Sequence, residues 1–192
     1  MEALDTLNPI HRITVAQFHQ AIAAGMFADG DRVELIDGEM RDMPPIGPLH
    51  CSRTDELTMA FAPPLAGRAI VRVQGALVVD EGTELYPDLM VLRLREDHYR
   101  ESHPTGDDVL LVIEVADSSL DLDRQVKLPK YARAGIRQYW IIDLQNGAVH
   151  AYRDPDRFGQ RYRQLQTLTD GRLRIAVAGV DVDVDVGALL AV

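Results

Sequence analysis

Residues 109–115, Val-Leu-Leu-Val-Ile-Glu-Val, place one carboxylate inside an apolar run that is otherwise unbroken. A run of this kind marks a strand covered on both faces. The residues after it predict a helix from about Leu122 to Ala134, stopped by Gly135, and Gln138-Tyr-Trp-Ile-Ile-Asp143 then forms another buried-type strand. Strand, helix and strand in that order make a crossover unit, and with it an α+β fold containing a mixed sheet.

Working outward, residues 88–94 and 69–79 are strand-like, the second rich in β-branched and apolar side chains. Residues 50–62 have helical composition, closed by Pro63-Pro64. Val33 to Met40 reads as a hairpin turning at Asp37-Gly38, the favoured pair where both central residues take positive φ. Thr14-Val-Ala-Gln17 has capping-box spacing and opens a short helix ending at Gly25. Strand candidates follow at 148–153, 161–168 and 172–178. No repeat, linker or composition break divides the chain. One domain over 1–192 is expected, with an N-terminal helix and hairpin (1–45), a core (46–145) and C-terminal strands (146–192).

The 192 residues are 46% apolar, enough for a sizeable core without staples. No apolar stretch approaches the roughly 18 residues of a membrane span, and the acidic opening Met-Glu-Ala-Leu-Asp lacks the basic flank of a signal peptide. A single cysteine, Cys51, fits a reducing cytosol, so a cytoplasmic protein is expected. The formal charge of −10 argues against non-specific coating of nucleic acid. Residues 121–163 nevertheless hold nine basic and five acidic side chains, a local +4. A basic face on an acidic protein is compatible with a phosphate-bearing partner.

Glu114 is the most informative residue. An unpaired carboxylate in a dry strand costs several kcal/mol, so it faces a cleft or meets a cation. Asp88 opens another apolar strand just after Pro87. The plain structural alternative is that Asp88 caps a turn and Glu114 pairs with a buried arginine. Beyond Glu114, Asp123, Lys127 and Tyr131 stand four residues apart and share a helix face. Lys127 and Lys130 are the only lysines in the chain, and both lie in this helix. A solvated Asp123–Lys127 pair, worth about 0.3–0.5 kcal/mol, is the simpler explanation. Two carboxylates and a lysine are also the set that holds a hard divalent ion and polarises an attacking water.

Taken together, Glu34-Leu-Ile-Asp-Gly-Glu39, the following Met-Pro-Pro, His50, Gln74, Pro87-Asp88, Leu110 to Ser119, Asp123-x3-Lys127-x3-Tyr131-Ala-Arg-Ala-Gly and Gln138 to Asp143 resemble the Uma-two restriction endonuclease family of the PD-(D/E)XK nuclease superfamily. The resemblance runs from about residue 11 to the C-terminus, with the motifs in the family's order. It implies a restriction-endonuclease-like αβββαβ core with Asp88 and Glu114 as metal ligands, helped by the Val115 carbonyl. The superfamily lysine would stand two residues after the acid, where this chain has Ala116. The family moves it to the following helix, which makes Lys127 the catalytic candidate and Lys130 its reserve. Pro129 lies inside that helix and is expected to kink it.

Accessory candidates are Glu34, His50, Gln74 and Tyr131. Glu34 resembles the family's hairpin glutamate, but it also faces Arg41 across the hairpin, where a cross-strand ion pair explains it equally well. His50 suits phosphate binding or proton transfer, or a structural place at a helix start. Gln74 touches the site or satisfies a backbone group, and Tyr131 packs. His50-Cys51 are sequence neighbours and make a poor catalytic pair. Asp181 to Gly187 imitates a calcium loop but lacks the closing glutamate, so an alternating strand is expected there.

The function expected is Mg²⁺- or Mn²⁺-dependent hydrolysis of phosphodiester bonds in DNA, with Arg124, Arg133 and Arg137 on the DNA backbone and a homodimer as the default assembly. Two other classes stay open, a nuclease-fold scaffold that binds without cutting and a small-phosphoester hydrolase.

Overall fold

The computed structural model describes residues 10–28 and 30–191. The acidic opening, residues 1–5, lies outside them. Helix α1 (Val15–Ala23) starts at Thr14, whose capping box with Gln17 is complete. Strands β1 (Val33–Ile36) and β2 (Glu39–Asp42) form the expected hairpin, with Asp37 at φ 52° and Gly38 at φ 78°. A side chain at Gly38 would run into Arg12 and the backbone of Ile13. Helix α2 (Pro48–Leu65) follows, then β3 (Ala69–Val73), β4 (Leu77–Asp80), β5 (Thr83–Leu85), β6 (Leu89–Arg93) and β7 (Val109–Ala116).

The crossover has three pieces: α3 (Leu120–Leu122), a π-helical segment (Asp123–Lys127) and α4 (Leu128–Ala134). It leads to β8 (Gln138–Asp143), β9 (Ala148–Asp156), β10 (Arg161–Leu168), β11 (Arg172–Val177), β12 (Val180–Asp185) and α5 (Val186–Leu190).

The principal sheet has the order β10-β9-β8-β7-β6-β3. Only β7 and β8 pair in parallel, across the helical crossover, so the fold is α+β with a mixed sheet. The αβββαβ core is α2, β3, β6, β7, the crossover and β8. A smaller sheet, β2-β1-β5-β4, carries the N-terminal hairpin, and β11-β12 form a separate ribbon.

Both faces of the principal sheet are covered. One packs Leu111, Ile113, Val115, Trp140 and Ile142 against Leu57, Phe61 and Leu65 of α2 and against the ribbon. The other packs Met90, Val112, Tyr139 and Ile141 against Tyr131 of α4 and against Ile36, Leu77 and Leu85 of the smaller sheet. Burying several aliphatic and aromatic side chains on each face, at about 1.5–3 kcal/mol apiece, is the main force ordering these layers.

Three local expectations need correction. Residues 69–79 are two strands in two different sheets, because the chain turns at Gln74, which takes φ 48°. Gln74 is therefore in a turn, and its backbone N–H donates to the Asp88 carbonyl at 3.2 Å. Helix α2 continues through Pro63 and Pro64. Fully buried Leu57, Phe61 and Leu65 recur every four residues, and their packing outweighs the two backbone hydrogen bonds the prolines remove. Pro129 falls in the first turn of α4, where its missing N–H is tolerated. The irregularity lies just before it, in the wide π turn, where Leu128 N–H reaches back to the Asp123 carbonyl.

Candidate active site

The alternation of β7 decides which side chains reach the site. Leu111, Ile113 and Val115 point to the α2 side, so Glu114 points to the crossover side between Val112 and Ala116. Glu114 is 2% exposed. Lys127 Nζ donates to Glu114 Oε1 at 3.1 Å, and the Tyr131 hydroxyl donates to the same oxygen at 2.8 Å. Glu114 Oε2 accepts the Asp88 backbone N–H at 3.3 Å. Asp88, just ahead of β6, accepts the Val115 N–H at 2.8 Å and stands 3.0 Å from His50 Nε2.

The remaining walls come from the hairpin and the π segment. Glu34 Oε2 lies 3.9 Å from Lys127 Nζ and Asp123 Oδ1 lies 3.5 Å from it. Arg41 faces Glu34 across the hairpin in register, but its guanidinium bonds Glu39 at 3.3 Å, and Glu34 is turned inward. Ser119 donates to Asp123 Oδ2 at 2.6 Å. The π turn keeps Asp123 and Lys127 on one side, and α4 carries Tyr131 onto Glu114 from the next turn.

Three buried acids, Glu34, Glu114 and Asp123, thus surround one buried ammonium, and a fourth, Asp88, lies beyond Glu114. Burial pushes Glu114 up to about 8, with Asp123 and Asp88 adding repulsion, while Lys127 and Tyr131 pull it down. Burial also raises Glu34 and Asp123, against the attraction of Lys127. For Lys127, burial opposes the charge, but Glu114, Glu34 and Asp123 overcome it and hold the amine above its ordinary range. The neighbouring acids thus favour the charged form of Lys127.

The cluster opens into a narrow cavity of about 70 Å³ whose wall includes Glu34, His50, Asp88, Glu114, Val115 and Lys127. Arg32, Tyr86, Asp117 and Ser119 line it as well. Gln74 lines a neighbouring cavity that shares Arg32, Met43 and Tyr86. Lys130 is directed elsewhere: its Nζ holds Asp37 at the hairpin tip, 2.6 Å away, and so anchors the hairpin that carries Glu34. None of the three arginines expected on DNA lines the cavity. Arg124 is engaged with His150 and Asp143, Arg133 with Asp80, and Arg137 is exposed.

Sequence reasoning passed over Asp123 as a site residue, although its spacing from Lys127 was the available signal. Arg32 and Tyr86 carried no signal, because only the tertiary fold brings them to the cavity.

This architecture is shared with a crystal structure from Anabaena variabilis described as a "putative nuclease belonging to DUF820". The two agree with a TM-score of 0.70 over 93% of this chain and 97% of that one, at 14% sequence identity. The likeness establishes a shared α+β fold. No curated protein matches the chain. The family is defined by the sequence: residues 15–187 match the family model described as "Putative restriction endonuclease", Uma2, and the chain belongs to that family.

Proposed function

We propose that the protein is a divalent-metal-dependent endonuclease that hydrolyses phosphodiester bonds in DNA. The observation that carries this reading is a cluster of four buried carboxyl groups with one ammonium beside an open cavity, acids that ionise together only where further positive charge is supplied. Two of the acid oxygens, Glu34 Oε2 and Asp123 Oδ1, are buried without a hydrogen-bond partner among the described residues. A hard cation with oxygen ligands fits such a donor set. Asp88 and Glu114 would hold it with the Val115 carbonyl, and Glu34 and Asp123 would add charge from behind. When bound, a divalent ion supplies Lewis acidity towards the attacking water and the phosphoryl oxygens.

The chain's own groups do the rest. Water adds to phosphorus, the P–O ester bond breaks, and a proton ends on the leaving oxygen. Lys127 stays protonated throughout and stabilises the charge that grows on the phosphoryl oxygens. Tyr131 fixes the Glu114 carboxylate, and His50 fixes Asp88. Arg32, on the cavity wall, would meet the phosphate nearest the site. Arg124, Arg133 and Arg137 would act on flanking backbone, with a steep salt dependence. Cutting both strands would call for a homodimer.

The test is plasmid and oligonucleotide cleavage at low salt with EDTA, Mg²⁺ or Mn²⁺, run beside Glu114→Gln and Lys127→Ala. Metal-dependent cutting lost in both variants supports the proposal. A folded wild type that binds DNA equally with and without metal, and never cuts, would make it a scaffold. Turnover of small phosphoesters but not polymer would leave the chemistry and change the substrate.

A further inference from the structure

We propose that His19, Glu84 and His103 form a second cation site, separate from the carboxylate cluster, that takes Zn²⁺. The three stand on different parts of the fold: His19 on α1, Glu84 on β5 and His103 in the loop between β6 and β7. One ligand atom from each lies within 4.8 Å of the other two. His19 Nε2 is 2.6 Å from Glu84 Oε2, and the two imidazole rings meet edge-on at 5.3 Å between centroids. Two imidazole nitrogens and one carboxylate oxygen are a donor set that zinc accepts with a fourth position left open. A hard Mg²⁺ ion would prefer an all-oxygen cage such as the one around Glu114.

Two further observations separate this group from a chance surface cluster. Glu84 is completely buried, yet its only ion-pair partner among the described residues is His19, with no lysine or arginine in reach. A carboxylate so placed needs a cation to offset its lost hydration. The other Glu84 oxygen, Oε1, accepts a hydrogen bond from the Tyr86 hydroxyl at 2.9 Å. That contact aims Oε2 at the imidazoles, as groups behind a metal ligand do.

The backbones carrying the ligands are also pinned. Val15 N–H donates to the Glu81 carbonyl at 2.8 Å, which ties α1 to the β4–β5 turn. Val78 N–H donates to the Pro104 carbonyl at 3.0 Å, next to His103. His103 itself is exposed, so an ion enters from solvent on its side. The bound ion would clamp three segments remote in sequence. Through Tyr86, which also lines the cavity holding Asp88 and Glu114, it would steady one wall of that cavity.

The experiment measures Zn²⁺ binding to the metal-stripped full chain by equilibrium dialysis and elemental analysis, with excess Mg²⁺ present. Thermal melting with and without Zn²⁺ is the second readout. One ion is expected to bind and to raise the melting temperature. His103→Ala changes only an exposed side chain and should still fold, but it should lose the ion and the shift. Tyr86→Phe should weaken binding by about tenfold, the scale of removing a group that orients a ligand. Glu114→Gln should bind Zn²⁺ as the wild type does. The proposal is overturned if the wild type binds no Zn²⁺, if His103→Ala binds it unchanged, or if Glu114→Gln is the variant that loses it. Cleavage of DNA enters none of these outcomes.

Discussion

The two faces of strand β7 use one sequence run for opposite purposes. The side chains of Ile113 and Val115 pack with apolar residues of α2 and the ribbon, and what they supply is packing. Glu114, between them in sequence, meets Lys127, Tyr131 and the Asp88 backbone. Both side chains at 113 and 114 are buried, so burial alone does not separate core from site. The partner layer does. The apolar stripe of Leu57, Phe61 and Leu65 on α2 completes one face, and a helix interrupted by a π turn brings charge to the other.

The comparison can be broken first at the charged face. Glu114→Gln keeps the side chain's shape and removes its charge. DNA cleavage should fall about a thousandfold or more, the scale of deleting a group that stabilises the transition state. Ile113→Ala makes the opposite cut. It should lower stability by about 2–5 kcal/mol in denaturant unfolding, while cleavage at low temperature by the remaining folded protein persists.

A third test uses pH. The folded pKa of Glu114 lies above its ordinary value, so the metal-free folded chain holds a proton that the unfolded chain has released. Its contribution to stability is complete below the unfolded pKa and is lost as pH rises through the folded one. Between about pH 5 and about pH 8 the wild type should therefore lose melting temperature relative to Glu114→Gln, which needs no proton, and Mn²⁺ should narrow the gap. A widening advantage of the wild type over the same range would contradict the raised pKa. The smallest expected effect is that of Tyr131→Phe. Losing its hydrogen bond to Glu114 should cost about 1 kcal/mol of stability, with cleavage reduced but measurable.

Much of this division was legible in the sequence. The run at 109–115, the helix behind it and the strand at 138–143 predicted the crossover and the parallel pair, because local periodicity reports buried strands well. Asp88, Glu114 and Lys127 stood out as charges in apolar or lysine-poor surroundings, and the fold brings all three to one cavity. Glu34 was ambiguous because strand register gives the residue opposite but not which way a long side chain turns. The break at Gln74 was hidden, since a positive φ at a glutamine answers to tertiary pairing in two sheets rather than to local propensity. The π turn was likewise masked by Pro129, whose usual effect is a kink. His19, Glu84 and His103 share no spacing at all, and only the meeting of α1, β5 and a loop makes them a group.

The most direct test of the charged face is calorimetric titration of Mn²⁺ into the metal-stripped protein, with wild type, Glu114→Gln and Ile113→Ala side by side. The account predicts binding to the wild type and to folded Ile113→Ala, with a large loss of affinity in Glu114→Gln. Equal Mn²⁺ binding by wild type and Glu114→Gln, or none by the folded wild type, would contradict it.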